Sequence, residues 1–300
     1  MLRKFFSFNI LKILFFEPKA TAIYRVKNSL VFRFNKVKKY FEKTFWIDMN
    51  TLFPIYSPSS SGSYRKISKI TVKEVNSFVP LLNQLMTTLN PSVDLQILDT
   101  EKQFNQKDII ASSIQLKNLF KKYGTNKPDP LYLLYAHILS NPLKINSVLE
   151  IGIGTNNSDI VSNMGADGIP GASLKGFRDY CPNAHIYGGD IDSRILFTDN
   201  RITTFQVDQT NFYEMLSRFI ALNKSFDLVI DDGLHSPSAN LSTLVCGLQV
   251  INKNGWIVIE DIGGNSLEVW TFIQRLLPLN FQSKIYNSSG GGYIFALQKI

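Results

Sequence analysis

The run FDLVIDDGLH, residues 226–235, and its continuation NGWIVIEDI, residues 254–262, decide the fold. The apolar runs 228–230 and 256–259 have the length and composition of buried strands, and residues 237–250 between them read as a helix. Each strand ends in two acids, Asp231 with Asp232 and Glu260 with Asp261. In an open parallel α/β sheet the ligand crevice lies outside the carboxyl ends of the strands, so both pairs are expected at one pocket. His235 follows Asp232 on the turn that leaves the first strand. Four carboxylates and an imidazole at one rim repel one another unless a cation sits among them, which points to a divalent-metal site beside a histidine base.

Outward from this stretch the pattern is regular. Strands are expected over 147–151, 185–188 and 203–207 upstream, and over 281–286 and 293–298 downstream. Helices are expected over 109–122, 130–139, 173–180, 212–222 and 266–276. Strands that alternate with helices imply a doubly wound, mostly parallel α/β sheet of seven strands, Rossmann-like, closed by a C-terminal antiparallel hairpin across NSSGGG. His137 lies in an apolar helix and reads as a structural residue, and His185 simply begins a strand.

The turn after the first of these strands carries Glu150, Gly152 and Gly154 as E-x-G-x-G, where a ligand must approach the backbone without a side chain between. A dinucleotide fingerprint would add a Gly or Ala at 157 and an acid about 20 residues on. The chain has Asn157 instead, and Asp190 lies farther along. Asp190 closes the second strand, where a carboxylate can accept ribose hydroxyls, and Asp208 with Gln209 closes the third, where an adenine would lie. Acids in those places disfavour a pyrophosphate and suit a nucleoside joined to a cation, which favours S-adenosylmethionine over NAD.

The ordered set YGTNK (123–127), VLEIGIGT, PGASLKGFRDYCPNAHIYGGDID, DQT, DDGLH and VIEDI resembles the class I S-adenosylmethionine-dependent O-methyltransferases related to the macrocin and mycinamicin enzymes and the cephalosporin hydroxylase family. The resemblance covers residues 118–298. It implies that Asp232, Glu260 and Asp261 hold Mg²⁺ and that His235 removes a proton from a hydroxyl of a sugar or glycoconjugate. It places Glu150, Gly152, Gly154, Asp190, Asp208, Gln209 and Asp231 in the cofactor pocket.

The formal net charge of +8 is confined to one end, since 11 of the 32 Lys+Arg and 2 of the 24 Asp+Glu fall in residues 1–46, which leaves 21 and 22 for the rest. A nucleic-acid partner is therefore not expected. Residues 1–55 read as a basic amphipathic, mainly helical segment whose 1–46 face suits an anionic membrane surface or an acidic partner. Residues 56–117 read as a linker and auxiliary region, and 118–300 as the methyltransferase domain. The two cysteines are far apart, so no disulfide framework is suggested and a cytoplasmic setting, at most peripheral to the inner membrane face, is expected. A homo-oligomer is compatible with the sequence. Three other classes stay open: an NAD-dependent oxidoreductase of the same fold, a metal-dependent hydrolase using the same acids, and a non-catalytic membrane-associated scaffold.

Overall fold

The structure, a computed structural model, describes residues 79–88, 97–125, 127–288 and 292–300. The basic segment 1–46 and the Ser-rich stretch 56–65 lie outside the described residues. The chain divides into two compact units, Met1–Pro80 and Leu81–Ile300, and the sheet belongs to the second. Among the described residues no helix is long and apolar enough to cross a membrane.

In chain order the elements are β1 (Ile97–Leu98), α1 (Thr100–Gln103), α2 (Lys107–Tyr123), α3 (Asp129–Ile138), β2 (Ser147–Ile151), α4 (Ala172–Tyr180), β3 (His185–Asp190), β4 (Thr198–Asp199), β5 (Ile202–Gln206), α5 (Phe212–Ala221), β6 (Phe226–Asp231), α6 (Pro237–Val250), β7 (Ile251–Ile262), α7 (Leu267–Leu276), β8 (Phe281–Asn287) and β9 (Tyr293–Lys299). Strand order across the sheet is β1-β8-β9-β7-β6-β2-β3-β5-β4. The core strands β5, β3, β2, β6 and β7 are mutually parallel, while β9 inserts antiparallel between β7 and β8. This is the expected doubly wound sheet with its terminal hairpin. The strand order reverses at β2, between β3 and β6, which is where such sheets open a crevice.

The sequence reading missed two short edge strands, β1 and β4. Two residues carry no periodicity, and both strands exist only through their partners, β1 on β8 and β4 on β5. Residues 97–117, which form β1, α1 and the start of α2, fall in the same compact unit as the sheet.

Strand alternation decides what each face receives. Val148, Ile186, Leu228, Ile230 and Val258 meet Leu116, Phe120, Leu134, Leu174 and Phe177 of α2, α3 and α4. Leu149, Ile151, Val229, Ile257 and Ile259 meet Met215, Phe219, Leu244 and Trp270 of α5, α6 and α7 on the other face. Helix starts are set locally: the Asn211 side chain caps α5 by accepting from the Glu214 N–H, and Ser236 caps α6 ahead of Pro237. His137 stacks on Phe104 and His185 contacts the Thr203 hydroxyl, so both serve the scaffold.

Candidate active site

Two cavities open at the carboxyl ends of β2, β3, β5 and β6, and they share Gly152, Gly154, Ser162 and Asp232. The first, about 470 Å³, is lined by Gly152, Gly154, Asp190, Asp208, Gln209 and Asp232, among others. The second, about 520 Å³, is lined by Lys127, Met164, Ile169, Ser173, His235 and Asp261 together with the shared residues.

The first cavity is shaped by the glycine turn. Gly152 has φ +87°, and a Cβ there would stand 2.2 Å from the carbonyl oxygen of Asp232. The turn after β2 and the turn after β6 therefore touch backbone to backbone, and the Asp232 N–H donates to the Ile151 carbonyl at 2.8 Å. Asp190 steadies the same turn: one carboxylate oxygen accepts from the Ile153 N–H at 3.0 Å and the other from the Asp192 N–H at 2.9 Å. Burial pushes its pKa up against those amide bonds. Asp208 accepts from the Thr210 N–H and hydroxyl, which orders the tip of the strand.

Two residues expected in this pocket are not on its wall. Asp231 has no exposed surface, faces α6 by strand alternation, and accepts from Gln209 Nε2 at 2.7 Å and from the Gly233 N–H. Gln209 does line the cavity, and its amide oxygen accepts from the Leu234 N–H at 3.0 Å, so it also braces the DDGLH turn. Glu150 faces the α2–α4 side, is fully buried, and accepts from the Ser173 hydroxyl.

Alternation also gathers an inner group. Glu150 on β2, Asp232 just past β6 and Glu260 on β7 lie on one face of three adjacent strands, with ligand atoms within 4.8 Å of one another. The cation among them is the side chain of Lys127, from the loop joining α2 to α3. Its Nζ lies 2.7 Å from Asp232 Oδ2, 2.8 Å from each Glu260 oxygen and 3.3 Å from Glu150 Oε1. Burial works to lower the Lys127 pKa, but Asp232, Glu260 and Glu150 outweigh it and hold it well above the ordinary lysine value. Tyr135 of α3 also donates to Glu260. Burial raises the pKa of Glu260 and of Glu150, with Lys127 opposing it in both.

An outer group lies on the other side of Asp232: Asp232, His235 and Asp261, again with ligand atoms within 4.8 Å. Asp261 should point away from Glu260 by alternation, and its positive φ of 52° carries it out of the strand path toward His235, itself at φ 55°. The expected Asp232, Glu260 and Asp261 trio is thus divided, with Asp232 common to both groups.

Sequence reasoning missed Lys127, Tyr135 and Asp192. Asp192 receives the Thr155 hydroxyl and the Asn157 amide at 2.7 Å each, and Arg194 Nε at 2.7 Å. Those bonds, Arg194 first, hold its pKa below the usual carboxylate range. They also explain why Asn157 stands where a dinucleotide fingerprint has a small residue. Asp192 stands in the motif GGDID, where a second acid after the strand was the available signal; Lys127 and Tyr135 carry no such signal of their own.

No family model matches the chain. Over 115 residues, 38% of the chain, it is 34% identical to mycinamicin VI 2''-O-methyltransferase of Micromonospora griseorubida, of which that match covers 27%. Over 129 residues, 43% of the chain, it is 32% identical to 8-demethyl-8-(2-methoxy-alpha-L-rhamnosyl)-tetracenomycin-C 3'-O-methyltransferase of Streptomyces olivaceus, covering 30% of that protein. The chain resembles the mycinamicin-type O-methyltransferases. It spans under a third of the length of these O-methyltransferases. Among solved structures, MycE methyltransferase from the mycinamycin pathway, in complex with Mg and SAH, matches with a TM-score of 0.48 at 23% identity, over 62% of this chain and 54% of that one.

Proposed function

We propose that the protein is an S-adenosylmethionine-dependent, Mg²⁺-assisted O-methyltransferase acting on a hydroxyl of a sugar or glycoconjugate. The observation that carries this reading is the meeting of two cavities at Asp232, one walled by bare glycine backbone and strand-end acids, the other by His235 and Asp261.

The residues fit both groups. Gly152 and Gly154 present a wall without side chains, and Asp190 and Asp208 stand where hydroxyl and amine donors of a nucleoside can be received. On the metal side, carboxylate oxygens of Asp232 and Asp261 are hard donors, and Mg²⁺ is commonly held by one or two carboxylates with other positions left to water or substrate. When bound, S-adenosylmethionine supplies an electrophilic methyl and Mg²⁺ supplies Lewis-acid stabilisation of a developing alkoxide. The chain does the rest. His235 accepts the hydroxyl proton on its imidazole, Asp232 and Asp261 orient the acceptor side, and the shared glycine edge keeps the two cavities within reach of each other.

The test is binding followed by turnover. The expected result is S-adenosylmethionine binding without NAD binding, and methyl gain on glycoside acceptors that stops in excess EDTA and returns with Mg²⁺. The His235→Ala variant should lose about 10²- to 10⁴-fold in turnover with a smaller change in acceptor affinity. Preferential NAD binding would overturn the reading, and full activity in EDTA would remove its metal part.

A further inference from the structure

We propose that Gln209 is the positioning residue of the turn 231–235 and not a ligand of the nucleoside: its side-chain amide ties that turn to the end of β5 and so fixes His235 and Asp232 at the border of the two cavities. What the fixed turn then does rests on the methyltransferase reading; the tie itself does not.

Both donors of the Gln209 amide are taken up inside the protein. Nε2 carries two hydrogens, and it donates to Asp231 Oδ2 at 2.7 Å and to the Thr243 hydroxyl at 2.8 Å. Oε1 accepts from the Leu234 N–H at 3.0 Å. These partners decide the orientation of the amide: turned over, its oxygen would face the Asp231 carboxylate and its NH₂ the Leu234 N–H. Gln209 therefore lines the first cavity with no side-chain N–H left for an adenine. It is 7% exposed, and Asp231 and Thr243 have no exposed surface, so water cannot replace a lost bond without opening the site.

The turn is held at successive residues. Asp231 accepts from Gln209 on one oxygen and from the Gly233 N–H at 3.2 Å on the other. Gly233 lies so close to the same amide that a Cβ there would stand 2.4 Å from Gln209 Oε1. Leu234 donates to that oxygen, and the next residue, His235, has φ 55°, a conformation that costs a residue with a side chain unless its surroundings fix it. In the sheet β2 and β3 lie between β5 and β6, so the amide joins loops from strands that do not touch. Only an uncharged amide serves here. A carboxylate at 209 would face buried Asp231, and an apolar side chain would leave Asp231 and the Leu234 N–H short of a partner. Catalytic groups act within about 0.5 Å of their productive geometry, so a loosened turn lowers rate before it lowers cofactor affinity.

Gln209→Met keeps the length of the side chain and removes its hydrogen bonds. The chain has three histidines, and His137 and His185 belong to the scaffold, so imidazole ¹H–¹³C spectra report the turn and the fold separately. Gln209→Met should move and broaden the His235 signal, assigned with His235→Gln, and leave the other two in place. Its affinity for S-adenosylmethionine, by calorimetry, should stay within about threefold of wild type, where loss of a nucleoside hydrogen bond would cost about tenfold. Turnover on glycoside acceptors should fall about 10- to 100-fold with the KM for S-adenosylmethionine unchanged. If Gln209→Met does not fold, hydrogen exchange in wild type decides: the Gln209 side-chain amide and the Leu234 N–H should be protected without ligand, and S-adenosylmethionine should add nothing. A His235 signal that stays in place, movement of all three signals, cofactor binding weakened about tenfold, or Gln209 amide protons protected only with S-adenosylmethionine present overturns the assignment. If wild type does not bind S-adenosylmethionine while the His235 and exchange results hold, the tie stands and the methyltransferase reading falls.

Discussion

At the scale of single residues, the site depends on backbone that only glycine tolerates. Gly152 combines φ +87° with the Asp232 carbonyl 2.2 Å from where a Cβ would stand. Gly152→Ala should therefore push the β2 turn off the β6 turn. A left-handed Ala costs about 1 kcal/mol before the clash is counted. The expected outcome is at least tenfold weaker cofactor binding by calorimetry, on the order of 1.4 kcal/mol, with the fold retained by circular dichroism. The glycine was legible because E-x-G-x-G after a strand has a mechanism. Lys127 was not, because a lysine in a Gly-to-Pro turn looks like an exposed loop residue until the helices beside it are placed. The division between Glu260 and Asp261, and between Asp231 and Asp232, could have been read from period-two alternation. The sequence reading took both acid pairs to face one crevice because they end strands whose carboxyl ends meet there, and so merged two faces of one sheet.

At the scale of elements, the helices on the α2–α4 face hold the loop that carries Lys127. Phe120 of α2 is fully buried and packs edge-on against Tyr132 of α3 and Phe177 of α4. Its ring lies so close to α4 that a Cβ on Gly176 would stand 2.1 Å away. Phe120→Ala should cost about 3–5 kcal/mol of stability, as large-to-small core changes do. Denaturant unfolding measures it, and a loss under about 1 kcal/mol would mean that this face is not a tightly packed unit. The long elements were legible because their apolar periodicity is set by the core they bury: α2 was expected over 109–122 and α6 over 237–250, and the structure gives Lys107–Tyr123 and Pro237–Val250. The ends of β7 were not. It was expected over 256–259 and runs Ile251–Ile262: pairing with β9 carries it on to Ile262, and Ile251 pairs with Phe226 of β6 across a register shift that takes in Asn252, Lys253 and Asn254, which have no strand signature of their own.

For the whole molecule, the buried acids set how stability depends on pH. Burial raises the folded-state pKa of Glu150, Asp190, Asp231 and Glu260 above the ordinary values of 4.5 for Glu and 3.8 for Asp. Such groups bind protons more tightly folded than unfolded, so their contribution to stability falls as pH rises from about 4 toward the raised values. Asp179 and Asp192 run the other way. Their folded pKa values lie below the ordinary 3.8, so the stability they give is present above that value and lost as pH falls through the depressed one. Lys127, raised above 10.5, gives its full contribution below that value and does not tilt the acidic side. The ligand-free protein should therefore melt at a higher temperature near pH 5 than near pH 8, and lose stability again below about pH 4. Thermal unfolding from pH 3 to pH 9 checks this. A melting temperature that climbs from pH 5 to pH 8 would mean that Lys127 and the amide donors hold these carboxylates ionised more strongly than burial resists.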